Sequence, residues 1–163
     1  MIVQDLSLLF MFAFPLILAI WYYSTPGYRY KRFKILMGDI ILLLILGAFW
    51  YWLIDMNYLL EFHYLIFPSL SITFDVIISA PALFLLTLFE TGFLLMTFGT
   101  DLPYYPRSKQ VSIAIFKTGL MGVLFNSNLL FFLLSLEVMV LSLHFAVFGH
   151  KKEEVKKSSA YLL

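Results

Sequence analysis

The apolar run from Val111 to Phe148 most narrowly limits what this chain can become. As one helix, at about 1.5 Å per residue, it would be roughly 57 Å long, nearly twice the ~30 Å hydrocarbon thickness of a bilayer. It must fold back on itself, and the polar triplet Asn126-Ser127-Asn128 is where it can turn. The rest of the chain has the same character. Of 163 residues, 62% are hydrophobic and 13% charged, against roughly 45–50% and 25% in soluble domains. Lipid is then the solvent, and in lipid each backbone polar group needs a partner within the protein. The expected fold class is all-α, an integral membrane protein of about five transmembrane helices. The lack of cysteine excludes disulfides, iron–sulfur ligation and thiolate metal sites.

The first apolar run, Leu6 to Tyr23, reaches roughly 27 Å as a helix, just enough to span. Met1 to Tyr23 has neither a basic leader nor a small-residue cleavage site, so it reads as a retained helix. Ser24-Thr25-Pro26-Gly27 signals a turn, and Arg29, Lys31, Arg32 and Lys34 follow. A second span, Ile35 to Ile54, ends in Trp50, Tyr51 and Trp52, an interfacial belt. Asp55 to Ser71 holds Asn57, Glu61, His63 and Pro68 and reads as a partly interfacial connection. The third span runs from Thr73 to Thr100, with Pro81 and Glu90 inside it, and Asp101-Leu102-Pro103 stops it. The back-folded run supplies two more helices, and the tail from His150 is charged. Residues 1–110 thus form an N-terminal helical region, 111–149 a hairpin and 150–163 a tail.

With five spans, the loops at 24–34 and 101–110 and the tail share one membrane face, side B. The N-terminus, 55–71 and the 126–128 turn share side A. All of the eleven Lys and Arg except Lys117 then fall on side B. A wrong helix count would not produce so one-sided a distribution. No phosphate loop, metal-ligand spacing, hydrolytic triad or nucleic-acid signature appears.

Chemistry is expected from charges inside spans, which are expensive in lipid and usually functional. Glu137 lies near mid-span between Leu136 and Val138. Glu90 lies in the middle or far half of its span. Apolar surroundings penalise an ionised carboxylate, so such a group can take up and release a proton, as a relay requires. Lys117 either joins that relay or snorkels to side B. Asp39 and Asp75 lie close to helix ends and read as interfacial. His144 follows Glu137 by two turns on one face and reads as packing. His63 and His150 sit in loops, which weakens any haem-ligand reading.

The segment Gly119 to Met139, with Asn128, Leu136, Glu137 and Met139 in place, followed by Phe145-Ala-Val-Phe-Gly149, resembles the NuoK family, chain 4L of NADH–ubiquinone oxidoreductase. That family has a Gly-rich first helix, a short loop ending in Asn, and a second helix with a Leu-Glu-hydrophobic-Met core. The resemblance implies that Glu137 belongs to a chain of charged groups coupling quinone reduction to proton pumping in the membrane arm of complex I. It also implies that flavin, iron–sulfur clusters and quinone reside in partner subunits and none in this chain. Two departures stand out. Asn126 and Ser127 occupy places where the family usually has two arginines. The family's third helix, with a further Glu, is replaced by a tail. Upstream, Leu85 to Leu95 resembles that third helix, so 73–100 reads as a displaced equivalent supplying Glu90. The 101–110 connection, about 35 Å at full stretch, favours a hairpin, however, and would run this helix antiparallel to the next, unlike the family.

The resemblance places side A on the matrix face of the mitochondrial inner membrane, for which the Phe- and Tyr-rich composition of an AT-rich genome is a further hint; a prokaryotic plasma membrane is the alternative. The expected partners are other membrane-arm subunits of complex I and the lipid bilayer, without nucleic acid. Expected roles are proton relay for Glu137, Glu90 and Lys117, in a chain not catalytic by itself. The alternatives are a NuoK-like subunit of a cation/proton antiporter or membrane-bound hydrogenase, and a structural accessory subunit.

Overall fold

Asn128 turns the long apolar run back on itself. Its side-chain Oδ1 accepts a hydrogen bond from the Leu130 N–H at 3.0 Å, capping a helix that begins at Leu129. The computed structural model describes residues 2–24, 31–55, 59–67, 72–99 and 107–148. In chain order these form α1 (Ile2–Ser24), α2 (Lys31–Asp55), β1 (Leu59–Phe67), β2 (Ile72–Ser79), α3 (Ala80–Gly99), α4 (Arg107–Phe125) and α5 (Leu129–Phe148). The five helices and the turn after Phe125 agree with the sequence reading. The charged tail and most of the loop at 24–34 lie outside the described residues.

Three stretches are long and apolar enough to cross a membrane: Phe33–Asp55, Ala80–Gly99 and Leu129–Ala146. Phe10–Ser24 is a shorter apolar helix. α4 is less apolar because it meets protein on most sides. Its Gln110, Ser112, Ala114, Lys117, Leu120, Met121 and Phe125 are all buried. It packs most extensively on α5 and then on α1, so its polar groups need not face lipid.

Glycine sets how closely α4 and α5 approach. A Cβ on Gly119 would lie 2.8 Å from the Met139 backbone nitrogen, and one on Gly122 would lie 2.1 Å from Ser135 Oγ. Small residues on a contact face let two helices in lipid touch along their backbones. Most of α5 faces outward, with Leu133, Leu134, Val138, Leu141 and Phe145 exposed.

The segment before α3 departs from expectation. Residues 73–79 are a strand and not the start of a span, and part of the supposed interfacial connection is its partner. β1 and β2 pair antiparallel, with Phe62 opposite Val76 and Leu60 opposite Ile78. These four side chains are buried, while Glu61 and His63 on the other face are exposed. The period-2 alternation is that of a half-buried ribbon. The helix starts at Ala80 because Pro81 falls in its first turn, where the missing N–H is no loss. The ribbon sits beside the α4–α5 turn: Asn126 bridges Val76, and the Ser127 N–H donates to the Asp75 carbonyl at 3.0 Å. Phe12 of α1 meets both Phe74 and Phe125 edge-on. The ribbon and this turn therefore share one end of the bundle, as the helix count requires.

Candidate functional site

Lys117 stands midway along α4, deeper than the snorkelling reading needs, because the helix starts at Arg107 and not at the apolar Val111. The residue is 3% exposed and its side chain stays inside the bundle. The ammonium Nζ donates to Asp39 Oδ1 of α2 at 2.7 Å and to Glu90 Oε2 of α3 at 2.7 Å. Glu90 is fully buried and Asp39 is 3% exposed. The interfacial reading of Asp39 is thus corrected: α2 begins at Lys31, so Asp39 lies further along it than the apolar run suggests. Thr97 contributes a hydroxyl that donates to its own helix at Phe93 O and lies 3.4 Å from Asp39 Oδ2. Phe93 lays its ring 4.9 Å from the ammonium.

Three helices build this cluster, and their register is readable from it. Glu90 pairs with Lys117 and Phe93 with Phe116, while Met96 and Thr97 share a cavity with Gln110. Ascending positions on α3 thus meet descending ones on α4, so the two run antiparallel, as the short 101–110 connection requires. α1 and α2 close on each other where Gly38 leaves room. A Cβ there would come 2.6 Å from the Tyr22 hydroxyl.

Two carboxylates about one ammonium leave a formal charge of −1 when all are ionised. In a medium of low dielectric, uncompensated charge is expensive, and one added proton cancels it. The arrangement can therefore hold or release one proton by a small change of surroundings. One oxygen of the cluster, Glu90 Oε1, is buried without a hydrogen-bond partner among the described residues. It is free to receive a proton or a bridging group.

Glu137 occupies a different setting. It lies near the middle of α5 and is exposed, on the outward apolar face that includes Leu133, Leu134, Val138 and Leu141. His144, two turns further, is exposed as well. The structure thus brings Glu90 and Lys117 together, adds Asp39, and leaves Glu137 apart from them. The remaining sequence candidates, His63 and Asp75, are partners on the ribbon, with His63 Nδ1 2.8 Å from Asp75 Oδ1. This hydrogen bond raises the imidazole pKa above its ordinary value.

Residues 108–162 match the profile of the family described as NADH-ubiquinone/plastoquinone oxidoreductase chain 4L. Over its last third the chain is NuoK-like. The NuoK-like segment contains α5 with Glu137 and nearly all of α4 with Lys117, whereas Asp39 and Glu90 lie outside it. The fold extends further. A chain from the membrane-bound sulfane sulfur reductase, an archaeal respiratory membrane complex, superposes with a TM-score of 0.71 over 87% of this chain, at 15% identity. This chain spans 23% of that one. No curated protein sequence matches.

Sequence reasoning named Asp39 but set it aside as interfacial, because it lies within about a turn of the start of the expected span at Ile35. Yet Asp39 interrupts an otherwise apolar helix one position after a glycine that admits a neighbouring helix. A charged residue directly beside a close-packing glycine was the available signal.

Proposed function

We propose that this chain is a NuoK-like membrane-arm subunit of a proton-pumping, complex I-like respiratory complex, in which Asp39, Lys117 and Glu90 form one proton-relay station and Glu137 another. The observation that carries the reading is the buried Asp39–Lys117–Glu90 cluster at the centre of the bundle. A purely structural subunit has little use for it, since well-packed apolar side chains stabilise an interior as well or better than a buried ion triad. Four helices converge near a site whose formal charge changes from −1 to 0 on binding one proton. Charge on a neighbouring subunit can shift that balance without any cofactor in this chain.

Glu137 supports the same reading from outside. A carboxyl in the middle of an exposed apolar helix face is costly in lipid, so its place is against a partner subunit. That partner would present polar groups or hydrated space to it. Flavin, iron–sulfur clusters and quinone would reside in other subunits, and the complex, not this chain, would be the NADH:ubiquinone reductase. The likeness to a sulfane sulfur reductase chain favours a second reading, in which the same relay serves a related complex with a different electron acceptor. The host membrane would be an energy-coupling one, the mitochondrial inner membrane or a prokaryotic plasma membrane.

The test is Glu137→Gln in the assembled complex, which keeps size and hydrogen bonding but abolishes titration. Assembly is expected to persist while proton-coupled acceptor reduction falls severely. Unchanged turnover and pumping would reduce Glu137 to a packing element.

A further inference from the structure

A cavity enclosing about 520 Å³ of empty space, its open mouth included, lies between the ends of α1 and α3 and the starts of α2 and α4. Asp39 and Lys117 line its inner end, with Thr97 and Tyr22 beside them. Gln110, Ile113, Ala114 and Lys117 form one continuous stripe of α4 along it, covering about 10 Å from Gln110 to Lys117 at 1.5 Å per residue. All the contributing helix ends belong to side B. Glu90 does not line the cavity; it lies on the far side of the ammonium.

The polar groups are placed in a telling way. Gln110 is 4% exposed, and its side-chain Nε2 has no hydrogen-bond partner among the described residues. A buried donor left unpaired costs about 1–3 kcal/mol, and here it borders a space with room for a few water molecules. An apolar occupant such as a lipid tail would leave that donor unpaired, whereas water satisfies it.

We propose that this cavity is a hydrated proton-access route from side B, with Gln110 holding its entry water and Asp39 as the first proton acceptor of the cluster. This rests on the relay reading and gives it a direction. A hydronium ion in the cavity transfers a proton to the Asp39 carboxylate. An O–H bond forms at Asp39 while one breaks at the hydronium, which leaves as water, and the cluster goes from −1 to 0. Lys117 then stands between the group that receives the proton and Glu90, which lies further in.

The test uses the absence of cysteine in this chain. Ala114→Cys adds one sulfur atom in the cavity wall, and Ile113→Cys is a second lining position. Ile40→Cys, on the exposed face of α2 beside Asp39, is the lipid-facing control. Sealed vesicles holding the assembled complex are treated from side B with a membrane-impermeant charged thiosulfonate, and labelling is read as the mass of this chain. Because only the thiolate reacts and it does not form in lipid, both cavity thiols should label at least about tenfold faster than Ile40→Cys. Adding Gln110→Leu should slow them towards the control. Labelling by an apolar maleimide only would mean a lipid-filled crevice, and labelling by neither reagent a closed one; either overturns the proposal. Lys117 and Glu90 substitutions report separately on the relay. If they uncouple the complex while the cavity thiols stay unreactive, the access route fails and the relay stands.

Discussion

Lys117→Met keeps the length and apolar stem of the side chain and removes the charge. Two hydrogen bonds of 2.7 Å disappear at once, and Asp39 and Glu90 are left facing each other with no cation inside the bundle. Removing one partner of a buried ion pair costs about 3–5 kcal/mol because the remaining charge is stranded. Here two carboxyls are stranded, so the upper part of that range is expected, unless both take up protons. The cost should vanish when the stranded groups are neutralised as well. Asp39→Asn/Glu90→Gln/Lys117→Met should recover most of the loss, since apolar or neutral replacement of a buried triad is often neutral or better. The assay is the midpoint of thermal dissociation of the chain from its complex, together with the amount assembled, for wild type, the single variant and the triple variant. The single variant should be clearly depleted and the triple variant near wild type. If Lys117→Met assembles and melts like wild type, the three groups do not form a charged cluster and the reasoning falls.

Two further outcomes follow from the packing and the ribbon. Gly119→Ala puts a methyl group 2.8 Å from the Met139 backbone nitrogen, where no side chain can swing away; forcing α4 and α5 apart should cost about 1–3 kcal/mol, read as loss of assembled chain, while Gly92→Ala, with open space around it, should be silent. The His63–Asp75 hydrogen bond raises the imidazole pKa, so its contribution is present below the ordinary histidine pKa, about 6.5, and is lost as pH rises through the raised value; the pair is solvent-screened, so a small pH dependence of ribbon proteolysis is expected that His63→Gln removes, and an identical pH profile in the two forms would refute the link.

Much of the architecture was readable because lipid leaves a chain few options. The Val111–Phe148 run had to turn, and the side chain that caps the second helix, Asn128, was visible in the triplet. The ribbon was harder. Leu60 and Phe62 alternate with the exposed Leu59, Glu61 and His63, and Val76 and Ile78 with the partly buried Asp75, Ile77 and Ser79, yet the segment is apolar enough to merge with the next span by hydropathy. Pro81 was the corrective signal, since a proline suits the start of a helix better than its interior. For the site, a rule about cost in lipid was sufficient to single out Glu90, Lys117 and Glu137. It could not say which of them meet, because that depends on helix register and on Gly38, Gly119 and Gly122 setting how closely the helices approach. Asp39 was read as interfacial for a different reason: its depth depended on where α2 begins, which is Lys31 and not Ile35.

The central claim is that the buried cluster carries protons and is not merely a structural clamp. Glu90→Gln tests it directly, because it keeps the size of the group and its hydrogen bond to Lys117 while removing one titrating carboxyl. The measurement is protons translocated per electron pair in liposomes containing the assembled complex. A relay predicts normal assembly with translocation sharply reduced. Wild-type stoichiometry in an assembled Glu90→Gln complex would contradict it.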